Sequence, residues 1–423
     1  MKRLEETSWQ YFRATNGAVA TYAFAGLCAL MPIWPAVLPF CFAVGLVAFV
    51  IHHRAWQRSG ECTNAWGTAM PYALALYALH VAGLAWSSNF AYAAFDLQIK
   101  APLLLLPAVW FILPGASADW RALFRIFIAG NIIAVCICCA LLLWRFLTYA
   151  EFDATQQMYG ERWSVLIHPS YFALYLCFAL ALLFLEGKGG MTGLIVQGGI
   201  LCIGVVLCGS KMGWALLPVV LFIALWAERG DRRIRRAVSA LLVASAIGAT
   251  GLLITSSGAR ERIVEAWHAA VEPDRHADAT TSSEVRKLAW VGAWDVVIAA
   301  PVLGAGTGDV KDELMAAYGE RGYTHLVERR INAHSQYLQL WAALGPLGLL
   351  LMVVMLLIPM IDGYRSKRTI VVLFFALNAI NWTVESMLEV QAGTMFFTFF
   401  AFLLATGQGR SLSAPMNTPD QRT

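Results

Sequence analysis

Apolar runs of about 17–25 residues recur along almost the entire chain, and that recurrence leaves few folds open. Backbone groups in hydrocarbon must be bonded within their own segment, so such runs cross a bilayer as helices. Hydropathy and helix breakers predict about twelve spans, near residues 15–32, 34–51, 69–87, 94–113, 123–146, 166–185, 191–209, 212–227, 237–255, 335–358, 369–388 and 391–407. The expected fold class is an all-α polytopic membrane protein. Of the 423 residues, 59% are hydrophobic and 14% charged, against about 25% charged in soluble domains. The nine cysteines lie outside the long polar loop and lack paired ligand spacing, so they read as small packing residues. The N-terminal MKRLEETSWQYFRATNG has no small-residue cleavage site and reads as a retained first segment.

Charge placement supplies the expected orientation. With both termini cytoplasmic, Lys2, Arg3, Arg13, Arg54, Arg58, Arg121 and Lys188 fall on the cytoplasmic side. The cluster Arg229, Arg232, Arg233, Arg235 and Arg236 falls there too, as do Arg365, Lys367, Arg368 and Arg410. The short loops on the other side carry few cations, and Arg162 and Lys211 stand out among them. The expected organisation is residues 1–255 with nine membrane helices, a polar loop over 256–334, three more helices over 335–407, and a cytoplasmic tail over 408–423. The loop, about 80 residues long, is expected outside the cytoplasm and helical over 259–271, from Ser283 to Pro301, and over 309–318, with a glycine turn at Gly304–Gly308.

His334 stands where this loop re-enters the membrane. Imidazole titrates near neutrality and can take a proton from a hydroxyl, which suits a general base. The same position also suits a histidine that merely bonds loop backbone. Arg162, Lys211 and Arg286, with Arg329 or Arg330 behind them, suit a diphosphate, because arginine grips phosphate oxygens in a fork and lysine acts as a point charge. Pairing of Arg162 with Glu161, pairing of Arg286 with Glu284, and snorkelling of Lys211 are the structural alternatives. His168, ahead of Pro169-Ser170, is a candidate sugar-lining residue or a plain helix start. Asp96 and Lys100 are spaced for an i,i+4 ion pair inside the fourth span. Glu385 and Glu389 are expected on one face at the outer end of the eleventh span, lining substrate, neutralising the cations or simply solvated. Gly304-Ala305-Gly306 lacks the strand-turn-helix setting of a nucleotide loop, and no Asp-x-Asp or His-Glu-x-x-His occurs. No metal site, no cofactor and no nucleic-acid partner are expected.

The pattern Arg286…Trp290…Pro301-Val302-Leu303-Gly304-Ala305-Gly306, then Ala333-His334-Ser335-Gln336-Tyr337-Leu338-Gln339, then Leu344-Gly345-Pro346-Leu347-Gly348, resembles the O-antigen ligase and O-antigen polymerase superfamily. The turn Gly209-Ser210-Lys211 adds to the likeness, although the family commonly carries arginine where Lys211 stands. The resemblance implies a helical membrane fold akin to the C-type glycosyltransferases. It also implies transfer of a glycan from undecaprenyl diphosphate at the periplasmic face of a Gram-negative inner membrane. Within the superfamily the chain is most similar to the ligases, whose acceptor is lipid A–core oligosaccharide. Polymerases and pilin-type protein glycan ligases share the motifs. On this resemblance Arg162, Lys211 and Arg286 are expected to bind the donor diphosphate and His334 to act as base. A polyprenol-glycan flippase is the alternative from another class, and would place ionisable groups near the bilayer midplane.

Overall fold

A computed structural model describes residues 18–54, 65–112, 120–148, 157–187, 190–255, 257–271 and 281–406. The first seventeen residues and the tail after Thr406 lie outside them, as do Arg58, Lys188 and Arg410. The described residues are mostly helical, with no strands among them. The protein is an all-helical polytopic membrane protein.

Each expected span has a helical counterpart. Arg121–Thr148, Arg232–Gly251 and Gln336–Arg365 are long and apolar enough to cross a membrane singly. Phe90–Lys100 and Pro102–Ile112 form a fourth span bent by 48°, where Pro102 removes a backbone donor. Eight shorter apolar helices complete the set: Ala18–Leu30, Pro35–Ile51, Met70–Trp86, Pro169–Leu185, Met191–Leu207, Lys211–Ala227, Thr369–Asn381 and Gln391–Thr406. The division of the seventh and eighth spans falls at Gly209, whose φ of 59° permits the tight turn. Ser210 then caps the next helix, its hydroxyl accepting from the Gly213 amide at 3.2 Å.

Two helices form the centre. Almost every side chain of Pro169–Leu185 and of Gln391–Thr406 is buried. Phe127, Tyr175, Phe178, Phe374, Phe396 and Phe400 interlock between them; Tyr175 and Phe396 stack with centroids 4.4 Å apart. Buried cysteines Cys28, Cys138, Cys177, Cys202 and Cys208 are free thiols within this packing, in keeping with a packing role.

Two expectations at span ends need correction. The eleventh helix stops at Asn381, so Glu385 and Glu389 do not share a helix face. They lie on the strap between Asn381 and Gln391, Glu389 within a short 3-10 turn. The ninth helix begins at Arg232, earlier than expected, so the arginine cluster enters its first turns.

The loop expected over 256–334 is helical at Ser257–Val271, Ser282–Ala299, Val310–Glu320 and Thr324–Glu328, the last of which was not anticipated. Its glycine turn docks onto a break in the helix Gln336–Arg365. Pro346 has no N–H to offer the Ala342 carbonyl one turn earlier, and Gly345 leaves helical geometry at φ 67° and ψ −166°. The freed carbonyls are taken by the turn: Ala305 N–H donates to Ala342 O at 2.8 Å and Gly306 N–H to Ala343 O at 2.9 Å. Gly304, at φ 71°, packs so closely that an added Cβ would lie 2.5 Å from the Ala343 carbonyl carbon. The segments 301–306 and 344–348 are therefore two halves of one joint.

Candidate functional site

The helix Ser282–Ala299 carries Arg286 one turn from its start. The guanidinium is spread over three partners. Nε donates to the Val384 carbonyl at 3.0 Å, Nη1 to the Ser282 carbonyl at 3.0 Å and to its hydroxyl, and Nη2 to Glu385 Oε1. The alternative pairing with Glu284 is not seen, because that carboxylate accepts from the Thr281 hydroxyl at 2.5 Å.

Glu385 is a buried carboxylate, only 2% exposed, and its second oxygen lies 3.8 Å from His334 Nδ1. Burial alone would raise its pKa. The neighbouring imidazole of His334 and the charge of Arg286 outweigh burial and hold the carboxyl well below the usual range. Glu385 is thus an ionised counter-charge between a fixed arginine and a histidine.

His334 is itself locked. It adopts φ 46°, a strained left-handed geometry for a residue with a side chain. Its N–H donates to Asn332 Oδ1 at 3.0 Å, and its carbonyl accepts from Trp290 Nε1 at 3.1 Å. The Ala333 amide donates to Gln339 Oε1 at 3.0 Å. Trp290 and Gln339, which accompany His334 in the sequence pattern, and its neighbour Asn332 hold its turn in shape. Gln336 ties the same segment to the strap that carries Glu385. Its amide donates to Trp382 O at 2.9 Å, its side-chain oxygen accepts from Leu388 N at 2.7 Å, and its side-chain nitrogen donates to Glu389 Oε1 at 3.2 Å.

A cavity of about 1340 Å³ opens beside this network, lined among others by Arg162, His168, Lys211, Arg286, Trp290 and Leu338. Lys287 and Arg321 add further cations to its wall, against the acids Glu161 and Asp295. Asp295 is paired with Arg321, so the wall keeps a clear excess of positive charge. Trp290, Val291 and Trp294 make one side apolar. Lys211, the first residue of its helix, reaches across to the loop helices. Its Nζ lies 2.6 Å from Ser283 Oγ and 3.2 Å from Glu265 Oε2. That pairing replaces the snorkelling alternative.

The structure sorts the expected site residues. Arg162, His168, Lys211 and Arg286 meet on one cavity wall. His334 is not among the lining residues; it stands behind Arg286 and Trp290 with its side chain 20% exposed. Glu385 and Glu389 do not line the cavity either; Glu385 is buried, and the Glu389 side chain is 9% exposed instead of solvated. Glu389 serves a different partner, since Lys100 Nζ lies 3.0 Å from its carboxylate and also pairs with Asp96. The Asp96–Lys100 pair thus occurs as spaced, with a third member from 289 positions away. His168 has Glu161 at 3.9 Å. Although 40% exposed, it sits in a recess where burial outweighs the nearby carboxylates of Glu385 and Glu161 and lowers its pKa. Among the described residues no three His, Cys, Asp or Glu side chains converge as metal ligands would. Glu265, Lys287, Asp295 and Arg321 were not anticipated; for Lys287 the only signal was its place beside Arg286.

Residues 198–353 match a family model described as O-antigen ligase. That match supports the likeness to the O-antigen ligase superfamily. Lys211, Arg286 and His334 fall inside the O-antigen ligase match, whereas Arg162, His168, Glu385 and Glu389 reach the site from outside it. Members of that superfamily are glycosyltransferase-like enzymes. No curated protein matches the chain.

Proposed function

We propose that the protein is an O-antigen ligase that transfers a glycan from undecaprenyl diphosphate to lipid A–core oligosaccharide at the periplasmic face of the inner membrane. The observation that carries this reading is the linked set Arg286, Glu385 and His334, which meets a cationic cavity through Arg286. Arg162, Lys211 and Arg286 receive the donor diphosphate, and the apolar wall of Trp290, Val291 and Trp294 lies beside the start of the prenyl chain. His334 is the base. Glu385 is a positioning residue: a carboxylate facing Nδ1 favours the tautomer with its proton there and leaves Nε2 to accept another. The 3.8 Å separation is long for a hydrogen bond, and such contacts commonly tighten when substrate is bound.

In the proposed step, the acceptor hydroxyl oxygen forms a bond to the anomeric carbon as His334 takes its proton. The bond from that carbon to the diphosphate oxygen breaks, and undecaprenyl diphosphate leaves with the electron pair. One displacement inverts the anomeric carbon. Charge growing on the leaving group is met by the three cations, so side chains do work that a metal does in other glycosyl transfers.

Polymerases and pilin-type protein glycan ligases differ from this reading only in acceptor. A flippase draws support from the charged cluster Asp96, Lys100 and Glu389. Asp96 and Lys100 are buried and the Glu389 side chain is 9% exposed, with Lys100 paired to both acids, which supports a structural role. Reconstituting the purified protein with undecaprenyl-diphosphate glycan and lipid A–core tests the reading. Glycan joined to the core is the expected product. Glycan chains lengthened without the core would instead indicate a polymerase, and lipid movement without transfer a flippase.

A further inference from the structure

A second cavity, about 550 Å³, lies between the helices Lys211–Ala227 and Arg232–Thr255, with Phe222, Trp226, Arg229, Arg235, Arg236 and Ser239 among its lining residues. We propose that it is a binding site for an anionic phospholipid of the opposite leaflet. Lys211 begins the first of these helices and Trp226 stands near its end, a separation of roughly 22 Å at 1.5 Å per residue. The cavity is therefore distant from the cationic one that contains Lys211, and lies on the side where the arginine excess places the cytoplasm.

The segment Glu228–Arg236 holds five arginines and two acids. Asp231 is consumed locally. It accepts from the Arg233 amide at 2.8 Å and pairs with the Arg233 guanidinium at 3.1 Å, capping the helix that follows. Among the described residues no ion pair joins Arg229, Arg235 or Arg236 to a carboxylate. Arg229 lies over the Trp226 ring at 5.6 Å, Arg235 reaches the Arg229 carbonyl at 3.4 Å, and Arg236 lines the same cavity. This is a positive recess, large enough for a phosphate head group, beside a helix N-terminus.

A lipid, and not a free anion, is indicated by what borders the recess. Phe222 and Trp226 lie one turn apart on the same helix, and both are exposed. They are placed to meet acyl chains below a head group, as aromatic residues do at bilayer interfaces. Basic pockets between membrane helices on the cytoplasmic side have this combination of features. The inference is independent of the proposed transfer chemistry.

The test compares lipids retained by the full-length protein in nanodiscs made with phosphatidylglycerol and phosphatidylethanolamine, read by mass spectrometry. The wild type is expected to enrich phosphatidylglycerol. Each arginine near such a surface contributes about fivefold in affinity, so R235Q/R236Q is expected to lose roughly 25-fold. The charge-matched control R232Q/R365Q alters two arginines that do not line the cavity and is expected to keep the preference. Equal loss in both double variants, or no loss in the first, would overturn the proposal. So would displacement of the lipid by millimolar inorganic phosphate, because a free anion would then suffice. If R235Q/R236Q does not fold, S239W fills the cavity with every arginine retained. It is expected to lose the enrichment, and retention would overturn the proposal.

Discussion

Arg286 and Glu385 stand 99 positions apart, yet a guanidinium nitrogen of one donates directly to the buried carboxylate of the other. The pair joins the loop helix Ser282–Ala299 to the strap after Asn381. Through the second oxygen of Glu385 it also reaches His334. A buried carboxylate shared in this way makes the site's geometry and its charge balance a single property.

Glu385 makes stability depend on pH. Its folded-state pKa lies below the ordinary value of 4.5. The folded state therefore gains stability that is complete above that ordinary value and is lost as pH falls from there toward the depressed one. Melting of the wild-type protein in detergent is expected to fall steeply on acidification below about pH 4.5. Glu385→Gln is expected to melt lower at pH 7 and to lose part of that acid slope. Parallel slopes for the two proteins would count against the assignment.

Arg286→Lys keeps the charge but cannot serve Val384, Ser282 and Glu385 together. Transfer is expected to fall by about tenfold or more, with modest loss of stability. Arg286→Ala leaves Glu385 buried without its cation and is expected to destabilise the fold by about 3–5 kcal/mol. Thermal melting and initial rates on the same preparations separate the two effects.

Lys211 shows how arginine and lysine differ at this site. Lys211→Ala is expected to lower the rate about 10²–10³-fold if the ammonium meets charge on the leaving diphosphate. Lys211→Arg is expected to retain most activity, since a cation remains at the same helix start. Rates measured over a range of donor concentrations check both, and an unimpaired alanine variant removes Lys211 from the site.

The joint between Gly304–Gly306 and the broken helix predicts a purely structural effect. Gly304→Ala places a methyl group against the Ala343 carbonyl at a φ of 71°. A loss of about 2 kcal/mol or more is expected. Gly319 has open space around it and no positive φ, so Gly319→Ala is the silent control. Equal melting temperatures for the two variants would contradict the joint.

Much of this is legible in the sequence. Each apolar run became a helix because length and hydrophobicity alone decide that in a bilayer. Arg286, Lys211 and Arg162 stood out as cations at the expected outer surface, and they do share one cavity wall. The Asp96–Lys100 pair followed from helical spacing. What stayed hidden depends on contacts far apart in the chain. Glu385 and Glu389 read as one helical face because Trp382–Val384 continues the apolar run, whereas the helix stops at Asn381 and the two acids turn to different partners. Periodicity also cannot say which apolar helix is central, because a lipid-facing helix and one enclosed by neighbours have the same composition. Pro169–Leu185 declares itself only through its burial.

The account turns most directly on His334. The measurement is the rate of glycan transfer to lipid A–core by purified His334→Ala in proteoliposomes, with melting temperature and lipid incorporation matched to wild type. A fall of about 10²–10⁴-fold is the predicted result, in line with the loss of a general base. Transfer at a near-normal rate by a correctly folded His334→Ala protein would contradict it.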